Sequence, residues 1–313
     1  MGYIPVVDCK GNVHNAGKEI FDAISTVGFV YLKNYGMKPE QVNKMFGVAD
    51  KFFALPQQTK RALKRDPYES CGSDTGYVNI NEEWLELNQV ENREAANYFE
   101  LRESYNYSPN ISKEYLQGKL PKELPEFGDE LQRFFDSCQE VIFKIMEELA
   151  IHLKQPKDLF TSQHRYMGQP GNGTILRTLH YPALSSHPDG ESASIRAGAH
   201  TDAGCVTMLF QDGAGGLEVR VGKKGEWMEA MPEKDAVLIN MADMMEVWTG
   251  GRLQAIEHRV LIGENAKGKA RRSIAFFGYP DHEFIVRPFD GSTSHKPLTV
   301  RQHLHEMLKK IDR

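Results

Sequence analysis

The chain has 313 residues, a formal net charge of −5 and 26% charged residues, enough length to bury a full core beneath an ordinary soluble surface. No run of Lys and Arg interleaved with aromatic residues points to nucleic acid, and no apolar stretch of about 18 residues points to a membrane span. Cys9, Cys71, Cys138 and Cys205 are scattered without a Cys-x-x-Cys pair, which excludes a zinc knuckle or disulfide framework and leads us to expect reduced thiols in a cytoplasmic monomer.

Tyr3 to Val7 alternates like a short strand, and Ala16 to Ser25 then sets Ile20, Ala23 and Ile24 at helical spacing ahead of Gly28. A strand is expected at Phe29 to Asn34. Pro39 to Phe53 reads as an amphipathic helix through Val42, Met45, Phe46, Ala49 and Phe53, stopped before Pro56. Cys71 to Asn81, with Gly76-Tyr77 inside it, reads as a loop. Leu124 to Leu153 carries apolar residues three and four apart from Leu131 to Leu149, which predicts a long helix. From Thr174 the period falls to two, giving short strands at Ile175 to Tyr181, Ala197 to Asp202, Cys205 to Gln211, Gly216 to Val221, Trp227 to Glu229, Ala236 to Met241, Ala255 to Val260 and Arg272 to Tyr279. Gly-rich turns such as Asp212 to Gly216 join them, the pattern of two antiparallel sheets closing as a jelly-roll barrel. A helix over Pro297 to Ile311 closes the chain.

The chemistry concentrates in two places. His200-Thr201-Asp202 sets an imidazole and a carboxylate on one face of an extended segment, and the small residues on either side leave room for a metal and its ligands. His258 follows in a second β-type run, and two histidines with one carboxylate are the facial triad that suits non-haem Fe(II). A lone histidine is more often a buried, hydrogen-bonded residue, so His258 by itself would not mark a metal site. Past it, Arg271, Ser273, Ala275 and Phe277 share one strand face. A guanidinium and a hydroxyl there can clamp a carboxylate, and the acid that also chelates iron is 2-oxoglutarate.

Ile4 to Asp8, Gly28 to Asn34, Phe52 to Pro56, His200-x-Asp202, Asp212 to Val219, His258-Arg259-Val260 and Arg271-x-Ser273 stand in the order found in the isopenicillin N synthase-like group of Fe(II)/2-oxoglutarate-dependent dioxygenases. The chain resembles that group nearly end to end. Leu176 to Pro182 and the Gln211 to Val219 run are most similar to its fungal thymine hydroxylase branch. The resemblance implies a mainly β fold with flanking helices (α+β), a double-stranded β-helix braced by the long helix. Residues 1–110 would form an N-terminal region packed on the barrel and 111–313 the bracing helix, catalytic core and C-terminal helix, together one catalytic unit. Ala242 stands where the group usually has Gly.

The same resemblance makes Tyr181 a partner of the iron-bound acid's carboxylate, puts the Cys71 to Asn81 loop with Tyr77 across the pocket mouth, and runs Phe99 to Tyr105, with Arg102, into the site. If Tyr181 faces the pocket, Leu179 and Arg177 face it too. An inward Arg177 needs a partner, either an anionic or carbonyl substrate or a buried acid such as Glu100. Phe277 would wall the substrate, and small Ala203 would enlarge its space. Fe(II), 2-oxoglutarate and O2 would then oxidise an unactivated C–H bond of a small polar, amino-acid-derived molecule, by hydroxylation, cyclisation or desaturation. The other readings are a pyrimidine nucleobase hydroxylase, an oxidase of the isopenicillin N synthase type that uses no 2-oxoglutarate, and an inactive ligand-binding barrel.

Overall fold

Positions three and four apart build the helices of this chain and alternate positions build its strands, so the two periodicities decide which faces are buried. The computed structural model describes residues 3–67, 73–80, 82, 102–183, 195–222, 225–262 and 268–311. The first part of the chain contains β1 (Val6–Asp8), α1 (Gly17–Val27), β2 (Phe29–Lys33), α2 (Pro39–Phe53), α3 (Gln57–Ala62), β3 (Gly76–Val78), β4 (Glu103–Tyr107) and α4 (Lys113–Lys119). The long helix α5 (Glu126–His152) leads to β5 (Ile175–Tyr181), β6 (Ile195–His200), β7 (Val206–Gln211), β8 (Leu217–Arg220), β9 (Trp227–Glu229) and β10 (Ala236–Met241). A short helix α6 (Asp243–Trp248), β11 (His258–Leu261), β12 (Arg271–Gly278), β13 (Ile285–Val286), β14 (Leu298–Thr299) and α7 (Val300–Ile311) complete it.

Helix α5 forms because its apolar stripe has somewhere to go. Phe127, Leu131, Phe135, Cys138, Ile142, Ile145 and Leu149 are fully buried, and hiding each large side chain stabilises the fold by roughly 1.5–3 kcal/mol. Glu126 and Asp129 sit in its first turn, where the helix dipole favours acids. Helix α2 starts with Pro39 inside a box in which Gln41 accepts from the Lys38 backbone N–H at 2.8 Å, and it ends at Phe53, as its pattern predicts. Both helices belong to one large core with the outward face of the main sheet.

That sheet has eight strands in the order β1-β2-β10-β7-β12-β5-β4-β3, and a smaller one has the order β6-β11-β8-β9. Strand β2 is buried on both faces: Val30 and Leu32 join the helix-side core, whereas Phe29 and Tyr31 join Ala197, Leu217, Val219 and Val260 of the small sheet. The two sheets therefore face each other as a jelly roll, and a cavity of about 410 Å³ lies between them.

The expected strands of the barrel all form, with shifted ends and some additions. Strand β6 stops at His200 rather than running to Asp202, because the next residues fold back: the Asp202 carbonyl accepts from Asp243 N–H at 2.8 Å and that of Gly204 from Met244 N–H at 2.9 Å. Gly204 is required there, since a Cβ would stand 2.5 Å from the Gly278 carbonyl oxygen. The segment expected as a mouth loop contains strand β3, paired to β4 with Tyr77 opposite Tyr105, while its start at Cys71 lies outside the described residues. Strand β4 was not readable as a strand, being polar in composition, yet all of its residues are buried.

Candidate active site

His200 ends β6 and His258 begins β11, and the two stand directly opposite in an antiparallel pair. Cross-strand pairing is what brings residues so distant in sequence to a ring-centroid separation of 4.3 Å. Asp202 joins them from the turn after β6, and one donor atom from each of the three lies within 4.8 Å of the others. Nδ1 of His200 is 2.8 Å from the Gly198 carbonyl and Nδ1 of His258 is 3.3 Å from that of Ile256. A carbonyl only accepts, so in each ring the proton sits on Nδ1 and the Nε2 lone pair is left for a metal. Burial, and then the neighbouring His258, push the His200 pKa down to about 4, which keeps it a neutral ligand near pH 7.

Asp202 is fixed through its other oxygen. Oδ2 accepts from Thr207 Oγ1 at 2.7 Å and from Asn240 Nδ2 at 2.8 Å, and these two donors are themselves partners across β7 and β10. Burial would raise its pKa, but the two histidines and these hydrogen bonds outweigh it and hold the carboxyl below its usual range. Oδ1 faces His258 Nε2 at 3.7 Å. Two imidazoles and one carboxylate, each held by a partner of its own, are a donor set that fits Fe(II).

The pairing of β5 with β12 builds the wall next to the triad: Tyr181 lies opposite Arg271, Leu179 opposite Ser273, and Arg177 opposite Ala275. These residues and Phe277 all line the cavity, so alternate positions of both strands face inward as their period requires. Arg271 is 1% exposed and, among the described residues, meets only neutral acceptors: Ser273 Oγ at 3.2 Å, Gln211 Oε1 at 3.1 Å and the Gly215 carbonyl at 3.2 Å. Its guanidinium lies 4.9 Å from the centre of the Tyr181 ring. A buried cation whose described partners are all neutral, flanked by a hydroxyl and a phenol, could hold the distal carboxylate of 2-oxoglutarate. Phe277 pairs with Thr207, the residue that donates to Asp202, and so stands beside the triad.

Arg177 has its partners inside the protein. Its Nε donates to Asn106 Oδ1 at 2.8 Å, and its Nη2 lies 3.6 Å from Asp74 Oδ2. Asp74 also accepts from Asn106 at 2.9 Å and pairs with Arg65. Among the described residues the acid that Arg177 meets is the partly buried Asp74; Glu100, considered from the sequence, lies outside the described residues. Arg102 and Ala203 line the cavity. Tyr77 does not: it is 1% exposed, packs edge-on against Phe52, and donates its hydroxyl to Glu103 at 2.5 Å, which draws it into the sheet edge and away from any mouth. No motif marked Asp74, nor His303, Glu306 and Met307, through which α7 supplies part of the wall.

A jelly roll with a 2-His-1-carboxylate cluster in the wall of its cavity defines a class, the non-haem iron oxygenases. Residues 173–280 match the 2OG-Fe(II) oxygenase superfamily, and residues 4–126 match the family described as non-haem dioxygenase in morphine synthesis N-terminal. The chain is 30% identical to 2-oxoglutarate-dependent dioxygenase ecdK of Aspergillus rugulosus, over 86% of this chain and 84% of that one. It is 28% identical to proline hydroxylase buaE of Petromyces alliaceus, over 86% and 83%. In structure it is similar to a full-length Neurospora crassa protein solved in complex with alpha-KG and thymine, with a TM-score of 0.82, 26% identity and coverage of 98% and 96%. The chain belongs to the 2OG-Fe(II) oxygenase superfamily and is an Fe(II)/2-oxoglutarate-dependent dioxygenase, with O2 as the usual cosubstrate. Among the described residues, no helix is long and apolar enough to cross a membrane.

Proposed function

We propose that this dioxygenase oxidises an unactivated C–H bond of a small polar metabolite derived from an amino acid, by hydroxylation or by oxidative cyclisation or desaturation. His200, Asp202 and His258 are the iron ligands in this reading, and Arg271, Ser273 and Tyr181 hold the 2-oxoglutarate. One observation carries it: the cavity takes both signs of charge into its wall, Asp74 against Arg102 and Arg177, alongside the apolar Leu179 and Phe277. An amino-acid framework offers an anionic, a cationic and an apolar part together, and complementary charge selects for it. Because Asp74 meets Arg177, the cavity does not demand an anion. A bulky apolar substrate would still strip water from these charged groups without replacing it.

Iron(II), 2-oxoglutarate and O2 together supply an oxidant able to take a hydrogen atom from such a bond. The chain's own work is placement. The Nδ1 bonds of the histidines fix their tautomers, Thr207 and Asn240 aim Asp202, and Arg271 fixes the end of 2-oxoglutarate away from the metal. Phe277 presents the apolar part of the substrate beside the triad while the Arg177 and Asp74 pair holds its polar part.

A second reading, oxidation of a pyrimidine, is favoured by the likeness to the Neurospora protein that binds thymine and by the fit of arginine donors to ring carbonyls. Small Ala203 in the wall leaves more space than a bare ring uses. Succinate released on addition of each member of an amino-acid panel and a nucleobase panel decides between them. Turnover triggered by amino-acid-derived compounds supports the proposal, and turnover triggered by pyrimidines alone refutes it. Arg177→Leu should then raise the apparent KM of the best substrate by roughly tenfold or more, and an unchanged KM would make Arg177 a purely structural residue.

A further inference from the structure

Arg196 stands on β6, near His200, and is 1% exposed. Its Nη2 donates to the Lys269 carbonyl at 3.1 Å, whereas its Nη1 is buried with no hydrogen-bond partner among the described residues. No carboxylate among the described residues stands within ion-pair distance of it. The Asp212 carboxylate acts on it only from further away, being occupied by the backbone N–H and Nε of Arg272. A guanidinium buried in this way destabilises the ligand-free fold. Burial, and then the charge of Arg271, push its pKa below the usual arginine value.

Arg271 repeats the pattern, buried and bonded only to neutral acceptors among the described residues. The two guanidinium groups share one aromatic ring: that of Arg271 lies 4.9 Å from the centre of Tyr181 and that of Arg196 lies 5.7 Å from it. Two like charges beside one phenol, neither paired with a described carboxylate, make a strongly positive pocket corner whose charge an incoming anion can balance.

We propose that Arg196 is a second cation of the 2-oxoglutarate site, so that the distal carboxylate held by Arg271, Ser273 and Tyr181 is met by two positive charges. The inference rests on the assignment of Arg271 to that carboxylate. Counting charge shows what the second arginine adds. Iron(II) with Asp202 leaves one positive charge, balanced by the carboxylate beside the keto group, and Arg271 balances the distal carboxylate. Arg196 is then the excess that favours a dicarboxylate over a 2-oxo acid lacking the second carboxylate. Arg196 does not line the cavity itself, while Tyr181 does, so it is a positioning residue that acts by its charge and by holding the ring.

The test uses the full chain loaded with Mn(II) in place of iron, with affinities for 2-oxoglutarate and for 2-oxobutanoate, which lacks the distal carboxylate, read by calorimetry. Arg196→Met should bind 2-oxoglutarate about tenfold or more weaker while keeping its 2-oxobutanoate affinity within about twofold. Its Tm without ligand should be at or above that of the unsubstituted protein, because an unpartnered buried charge has been removed. Arg196→Gln, which can still meet the Lys269 carbonyl, should behave alike, and Arg196→Lys should retain most of the 2-oxoglutarate affinity. Equal losses for both acids, or unchanged 2-oxoglutarate affinity in both neutral variants, would overturn the proposal. Arg271→Met separates the two assignments: if it leaves 2-oxoglutarate affinity intact, the carboxylate site itself is misplaced and the proposal fails with it.

Discussion

Replacing Asn240 with Ala tests whether the protein, rather than the metal, sets the geometry of Asp202. The side chain is 3% exposed and gives Asp202 Oδ2 one of its two donors, at 2.8 Å, leaving Thr207 at 2.7 Å as the other. A hydrogen bond to a charged acceptor in a buried place is worth about 1.5–3 kcal/mol. At about 1.4 kcal/mol per factor of ten, that predicts a loss of roughly 10–100-fold in iron affinity, the range known for partners of metal ligands. Two effects combine: the carboxylate gains freedom to rotate Oδ1 away from the histidines, and it loses part of what holds its pKa below the usual range. The assay is anaerobic competition for Fe(II) between the protein and a chromophoric chelator, with circular dichroism to confirm that the variant is folded. Iron affinity unchanged within about twofold in folded Asn240→Ala would refute the reasoning.

Arg271→Ala should weaken 2-oxoglutarate binding by about 2–4 kcal/mol, since it removes a charge-assisted partner from a buried site; an unchanged 2-oxoglutarate requirement in turnover would rule out the clamp. Gly204→Ala forces a Cβ to within 2.5 Å of the Gly278 carbonyl, so it should lower stability by about 1–3 kcal/mol in urea unfolding and loosen the turn that presents Asp202. A wild-type urea midpoint would show that the backbone there yields freely. Burial would raise the pKa of Glu103, but hydrogen bonds from His180, Lys60 and Tyr77 hold it below the usual value. Its stabilising effect is thus complete above the unfolded glutamate pKa of about 4.3 and is lost as the pH falls from there through the lowered folded value. Glu103→Gln should flatten the acid side of the Tm-against-pH curve below about pH 4.5, and an acid limb identical to wild type would show that Glu103 adds nothing to it.

Much of this architecture could be read from the residues because patterning and burial agree. Pro39 to Phe53 forms the expected helix, and Ile175, Arg177, Leu179 and Tyr181 turn the same way as Arg271, Ser273, Ala275 and Phe277 because a strand has period two. What escaped depends on contacts far apart in sequence. The polar residues of β4 show no strand pattern of their own, yet they are buried against partners such as Lys60 for Glu103 and Asp74 for Asn106. Asp74 offers no local sign that it will meet Arg177, and Tyr77 gives none that Glu103 will pull it inward. The helical pattern of α7 predicts the helix but not that His303 and Met307 will line the cavity, since docking is not written in a period. His-x-Asp was expected to share a strand face; instead the strand ends at His200 and Asp202 arrives from a turn held by Gly204 and Asn240.

The most direct measurement is anaerobic titration of the protein with Fe(II), with and without 2-oxoglutarate, following the weak visible charge-transfer absorption of the chelate. If His200, Asp202 and His258 hold the iron beside Arg271, the band should grow to one equivalent of iron only when 2-oxoglutarate is present. It should be absent from His258→Ala, whose two remaining ligands cannot hold the metal against water. Stoichiometric iron with an undiminished band in His258→Ala would contradict the assignment of the site.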